Sequence, residues 1–312
     1  MAEVIETLVA CFCENDIYMS GLFTIDTKKF TIRHLEKFSG IRTHTLRTWE
    51  QRYDLLSPQR SETNYRMYSI KEAKKILNIA LLNKNGHKIS FLSTLTDAEI
   101  ENRIHQFTND YNKIEVAIID LIIKMYSMNA EGFEKVLEHC RRTWNIDIML
   151  KEIIYPFLIK TELLWHGNRL SEEHFAIPVI RKNIILGIEN AGDALNKDQY
   201  VLLFLSNQNQ FDLALLYTHY LLKQNGTQVL YMGNDVSVDN IRVVLTQKKV
   251  DFLFTYFPQK NHFPLNQLTT LINECSPASK LIITTYPGTV AIPPLHNLSH
   301  MSFDEALAFL TQ

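Results

Sequence analysis

Three arginines, Arg42, Arg47 and Arg52, lie on or beside a short helical pattern, Thr43 to Tyr53, whose apolar residues Leu46, Trp49 and Tyr53 point the other way. A guanidinium on a helix surface can grip a guanine edge or a phosphate with two parallel N–H donors. Thr43 and Thr45 add short hydroxyls on the same helix, and Arg60, Arg66 and Tyr68 follow in the next segment. The chemistry on offer is therefore recognition of a polyanion. The plainer reading of the same residues is a helical hairpin with a solvated basic face.

The elements around these residues decide between the two readings. Thr31 is placed as an N-cap ahead of Ile32, Leu35 and Phe38 at helical spacing, and Ser39-Gly40-Ile41 supplies a tight corner before the basic helix. Leu55-Leu56-Ser57-Pro58 ends that helix. Gln59 to Tyr68 reads as a hairpin with Thr63-Asn64 near its tip and Arg66-Met67-Tyr68 as its returning strand. A helix-turn-helix followed by a wing places its second helix in the major groove, with the wing on adjacent backbone. Charge placement agrees: residues 28–88 hold fourteen Lys/Arg against five Asp/Glu, leaving eighteen against twenty-nine elsewhere, in a chain of net charge −2. A basic head on an acidic body suits a protein that sets one end on nucleic acid.

Ser69 to Glu72 is a capping box that opens a helix ending near Asn85-Gly86, Ile89 to Leu92 begins a further helix, and Thr96 to Glu99 opens another. From Tyr111 to Ala191 the pattern is helical. Four segments (the Ile114, Ile118, Leu121, Met125 stripe; the Phe133, Val136, Leu137 stripe; Ile146–Leu164; His174–Ile188) predict an antiparallel bundle. After Asn196 strands and helices alternate. Tyr200–Leu205, Gln228–Met232, Asp251–Thr255 and Lys280–Thr285 are strands; helices lie over Phe211–Gln224, Val238–Gln247, Leu265–Glu274 and Phe303–Leu310. That alternation predicts a doubly wound parallel sheet, which binds ligands beyond the carboxyl ends of its strands. The fold class expected is mainly α with an α/β part. The expected domains are an extension over 1–27, a winged head over 28–109, a helical bundle over 110–195 and a sheet domain over 196–312. The extension is either flexible or the product of an upstream start, with Met19 as the natural first residue; the reading leans to the second.

Other chemistry is absent from the sequence. There is no nucleophile elbow and no phosphate loop. Cys11, Cys13, Cys140 and Cys275 show no metal-type spacing and read as free thiols in a reducing cytoplasm. Glu172-Glu173 reads as a helix-start charge pair rather than an acid-base pair. No apolar run approaches the roughly 20 residues needed to span a bilayer. The chain is read as a non-enzyme without a metal site.

Gly40-Ile41, Thr45-Leu46-Arg47, Trp49-Glu50 and the Arg66-Met67-Tyr68 wing resemble the MerR family of bacterial transcription regulators. From about Thr24 the order of head, bundle and doubly wound domain resembles a narrower branch, the cobalamin-dependent, light-responsive MerR-type repressors of carotenoid genes. That resemblance implies a cytoplasmic, oligomeric (dimeric or tetrameric) regulator of double-stranded operator DNA with no membrane association. It also implies that the bundle caps adenosylcobalamin with a Trp and a Glu-His pair; Trp165 and Glu173-His174 occur in matching order. The family's E-x-H-x-x-G, whose His ligates cobalt, is replaced by Asn209, Phe211 and Ala214, and a small rim Ser by Thr255. A phenyl ring has no lone pair to give. A shift by one residue offers Gln210, still a poor cobalt ligand, and His219 and His262 are the other histidines weighed for that role. The expectation is a regulator whose effector and oligomerisation body no longer takes a cofactor through His and answers to another small molecule or a protein. The alternatives are a light-responsive repressor binding adenosylcobalamin base-on, and a corrinoid carrier or enzyme accessory protein.

Overall fold

A computed structural model describes residues 29–61, 64–161, 170–190, 197–206, 212–257, 265–285 and 297–311. The expected extension over 1–27, Trp165, Asn209, Gln210, Phe211 and His262 lie outside these residues. So do the side chains of Glu173 and His174. The chain divides into two compact units between Ile180 and Arg181.

The first unit opens with β1 (Lys29–Thr31) and α1 (Ile32–Ser39). Thr31 caps α1 in a reciprocal box with His34, and Gly40 at φ 70° ends it, donating its N–H to the Glu36 carbonyl. That left-handed backbone is a conformation glycine reaches without Cβ strain. Then come α2 (Thr43–Tyr53), β2 (Gln59–Arg60), β3 (Arg66–Ser69) and α3 (Ile70–Lys84). The wing is a three-stranded antiparallel sheet in the order β1-β3-β2, with Phe30 opposite Tyr68 and Arg60 opposite Arg66. β1 escapes a sequence reading because three residues show no alternation; only its pairing with β3 makes it a strand.

Next are α4 (Ile89–Leu92), α5 (Asp97–His105), α6 (Asp110–Tyr126) and α7 (Ala130–Thr143). The expected single helix from Ile146 is interrupted. A short α8 (Ile146–Ile148) runs into π-helix over Met149–Ile154 and then α9 (Tyr155–Thr161). Tyr155 donates its N–H five residues back, to Leu150. Pro156 has no N–H for the carbonyl of Glu152 and its ring crowds that oxygen, so the widened turn accommodates it. α10 (Leu170–Asn190) completes the helices and spans the division between the units. Phe133 of α7 meets Phe157 of α9 and Phe175 of α10, with ring centroids 5.7 and 5.4 Å apart, in the bundle core.

The second unit holds β4 (Tyr200–Phe204), β5 (Gln228–Gly233), β6 (Phe252–Phe257), β7 (Lys280–Thr285) and β8 (Leu298–His300) in one sheet ordered β5-β4-β6-β7-β8. Each of its pairings is parallel. Val201 to Phe204 are wholly buried, as strands covered on both faces must be. α12 (Val238–Gln247) and α13 (Leu265–Cys275) place Ile241, Leu245, Leu268 and Leu271 on one face, against Leu202, Phe204, Leu253 and Ile283. The other face meets α11 (Leu213–Gln224) and α14 (Phe303–Leu310), with Phe254 and Phe303 edge to face at 5.9 Å. Each such buried Leu or Phe contributes about 1.5–3 kcal/mol relative to exposure. The strand order reverses beside β4, and β8 adds a fifth strand to the four legible in the sequence.

Candidate nucleic-acid interface

The amphipathic pattern of α2 fixes which side it offers. Leu46 is fully buried and Trp49 nearly so, while Arg42, His44, Arg47, Thr48, Gln51 and Arg52 are exposed. Trp49 is thus core, and Arg42, Arg47 and Arg52 stand on the solvent side. The Arg52 guanidinium rests over the Tyr53 ring, 5.5 Å from its centroid.

Two carboxylates hold this helix in place. Glu36 of α1 accepts the Thr43 N–H at 3.2 Å and its hydroxyl at 2.5 Å. Those two bonds hold the Glu36 carboxyl below its ordinary value. They also supply the helix start that Arg42, lacking a side-chain acceptor, does not. Glu50, on α2 itself, accepts Arg66 Nε on one oxygen and the Tyr68 hydroxyl on the other, each at 2.9 Å.

The second clamp changes the roles expected of the wing residues. Tyr68 is fully buried, and burial together with the neighbouring carboxylate raises its pKa. It braces the wing and presents nothing to solvent, in place of the expected phosphate contact. Arg66 is a little under one-third exposed and engaged by Glu50, which raises its pKa, so it too serves the seam between wing and helix. Arg60 remains exposed and donates across the hairpin to the carbonyl and side-chain oxygen of Asn64. Asn64 takes φ 64° at the wing tip. Thr43 is half-buried with its hydroxyl turned to Glu36, and Thr45 is also half-buried. Tyr65 is 70% exposed beside Arg60. It belongs with the outward-facing wing residues, three positions from the buried Tyr68 on the returning arm of the hairpin.

The body offers less. Ala214 is fully buried in the first turn of α11. Thr255 is fully buried on β6, its hydroxyl without a hydrogen-bond partner among the described residues. Beside Ala214, the buried Asp212 carboxylate lies 2.7 Å from Arg181 Nε and accepts the Tyr231 hydroxyl. His219 stacks on Tyr231 with centroids 5.6 Å apart, and burial lowers its pKa. Asp212 thus faces both Arg181 and the Tyr231 hydroxyl. Among the described residues no three His, Cys, Asp or Glu side chains gather as a metal site, and no helix is long and apolar enough to cross a membrane.

Comparison with known proteins bears on the head directly. Residues 30–99 match the family described as MerR HTH family regulatory protein. The chain is 25% identical over 240 residues to the HTH-type transcriptional repressor CarA of Myxococcus xanthus, spanning 72% of this chain and 75% of that one. It is 20% identical over 236 residues to the HTH-type transcriptional repressor CarH of the same organism, spanning 72% and 78%. Among solved structures, the Methanosarcina barkeri monomethylamine corrinoid protein aligns with a TM-score of 0.38 and 15% identity, over 64% of this chain and 95% of that one.

Proposed function

We propose that this chain, a DNA-binding regulator of the MerR type, occupies its operator as a homo-oligomer, with α2 in the major groove and the wing on the neighbouring backbone. The observation that carries this reading is the division of α2 into a buried Leu46-Trp49 side and an exposed Arg42-Arg47-Arg52 side, joined to the wing through Glu50. Arg42, Arg47, Arg52, Arg60 and Tyr65 are the contacts assigned to DNA; Thr45 lies at the margin, and Thr43, Arg66 and Tyr68 position the others. A single recognition helix buries too little surface for specific binding, which is why an oligomer with paired half-sites is required. CarA and CarH are named repressors, which favours repression by operator occupancy.

The doubly wound unit acts in this reading as an effector and oligomerisation body without enzymatic activity. It takes no corrinoid through a protein His: the buried Ala214 methyl and the Asp212–Tyr231–Arg181 cluster support this, since they occupy the described start of α11 with no histidine among them. Trp165, Glu173 and His174 are kept as the candidate effector cap, and Asn209, Phe211, Ala214 and Thr255 as its candidate rim, for an effector other than a His-ligated corrinoid. The experiment is selection of duplexes from a random library by the purified chain, followed by titration of the selected duplex with wild type and Arg47→Ala. Selection of one recurring sequence with weaker binding by the variant is expected. No enrichment, or unchanged binding by Arg47→Ala, overturns the reading.

A further inference from the structure

The core of the DNA-binding head continues into the bundle. Tyr126, the last residue of α6, is almost fully buried, and its ring lies 4.9 Å from Phe30 of β1 and 5.6 Å from Phe38 of α1, centroid to centroid. Phe30 and Phe38 meet each other edge to face at 5.7 Å, so the three rings form one cluster. α1 also touches α9. On its other side α1 carries the recognition helix, through the Gly40 corner and the Glu36–Thr43 bonds. α1 is thus held between the bundle and the helix assigned to the groove.

A polar seam runs beside the aromatic one. Asn85, after α3, and the buried Asn112 of α6 exchange both amide hydrogen bonds, at 3.0 and 2.7 Å. Glu115 of α6 lies between Lys84 of α3 and Lys160 of α9, at 3.8 and 3.1 Å. The buried Asn112 amide, left without its partner, would carry a desolvation cost. The aromatic cluster and the amide pair fix the placement of α6 against the head at two separate points.

We infer that Tyr126 is a positioning residue for DNA recognition, setting the attitude of α2 through Phe38 and α1, with the Asn85–Asn112 pair as the second fixed point of the same joint. The inference rests on the assignment of α2 to the groove. Specific binding requires base-edge donors to be placed within hydrogen-bond tolerance; nonspecific binding requires only charge near phosphates. A loosened joint therefore lowers affinity for the recognised sequence and spares affinity for arbitrary sequence.

The test uses the full chain and two duplexes, the one selected by wild type from a random library and a scrambled duplex of equal length. For Tyr126→Ala, binding to the selected duplex is expected to weaken roughly tenfold or more, the loss of about one base contact. Binding to the scrambled duplex is expected to stay within about twofold, since its phosphate contacts are unchanged. Tyr126→Phe, which keeps the ring, is expected to bind the selected duplex more tightly than Tyr126→Ala. Equal weakening on both duplexes, or unchanged selectivity in a folded Tyr126→Ala protein, overturns the inference. Should Tyr126→Ala fail to fold, Asn112→Ala decides by the same ratio: selectivity that falls supports the joint, and selectivity that holds overturns it. Failure of wild type to select any sequence is a different result, and it strikes the assignment of α2 itself.

Discussion

The Glu50 carboxylate and the Tyr68 hydroxyl lie 2.9 Å apart across the seam between α2 and β3, and Tyr68 has no exposed surface. A buried hydroxyl that loses its acceptor carries its full desolvation cost, so this bond matters more for what its loss would expose than for its own strength. Glu50→Ala is expected to destabilise the first unit by on the order of 1–3 kcal/mol, because the Tyr68 hydroxyl and Arg66 lose their shared partner. Glu50→Gln keeps one acceptor oxygen and is expected to cost less. Chemical denaturation followed by Trp fluorescence separates the two, and equal stability of all three proteins would remove the clamp from consideration.

Arg47 makes a contrasting case, exposed and on the outward side of α2. Arg47→Ala is expected to leave stability unchanged and to weaken operator binding by about 1–3 kcal/mol if it reads a base. If it grips phosphate instead, the slope of log affinity against log salt falls by about one. Titrations at several salt concentrations distinguish the two roles.

The start of α2 responds to acid through Glu36. Its pKa is depressed by the Thr43 hydroxyl and N–H, so the folded state binds fewer protons there than the unfolded chain. The stabilisation is complete above the unfolded-state value, near about 4.3, and is lost as pH falls through the lower folded value. Thermal melts between neutral and acid pH are expected to show a shallower acid loss in Thr43→Val than in wild type.

In the second unit the Asp212 carboxylate is shared by Arg181 and Tyr231. Asp212→Ala removes the acceptor of the half-buried Tyr231 hydroxyl and the carboxylate that faces Arg181. Loss of that shared acceptor is expected to cost on the order of 1–3 kcal/mol. Asp212→Asn, which keeps an acceptor, is expected to fall between Ala and wild type in a urea titration.

Adenosylcobalamin provides the last check. The chain incubated with it in the dark and passed through gel filtration is expected to elute without visible corrinoid absorbance. A coloured protein peak would show that the body holds the cofactor by another arrangement, and light-dependent DNA binding would then be measured.

The head was legible because its signals are local. A capped helix, a glycine corner and an apolar stripe each lie within a dozen residues, and Thr31, Gly40, Leu46 and Trp49 stand where the spacing puts them. The parallel sheet was legible for a similar reason, since fully buried strands read as unbroken apolar runs. What local patterns do not carry is long-range partnership. Arg66 and Tyr68 look like DNA contacts until Glu50, sixteen and eighteen residues earlier, is seen to hold both. β8 is three residues recognisable only by its register on β7. Nothing in the periodicity of α6 announces that its last residue, Tyr126, completes the aromatic cluster around Phe30 and Phe38.

That aromatic cluster bears on how such regulators can be recombined. A head cut after α5 and grafted to another body would leave Phe30 and Phe38 facing water where Tyr126 had covered them, and Asn85 without its amide partner. A transplantable cassette from this chain must therefore run through α6. Chimeras joined ahead of α6 are expected to be insoluble or indiscriminate, and those joined beyond Tyr126 to keep the parent's sequence preference.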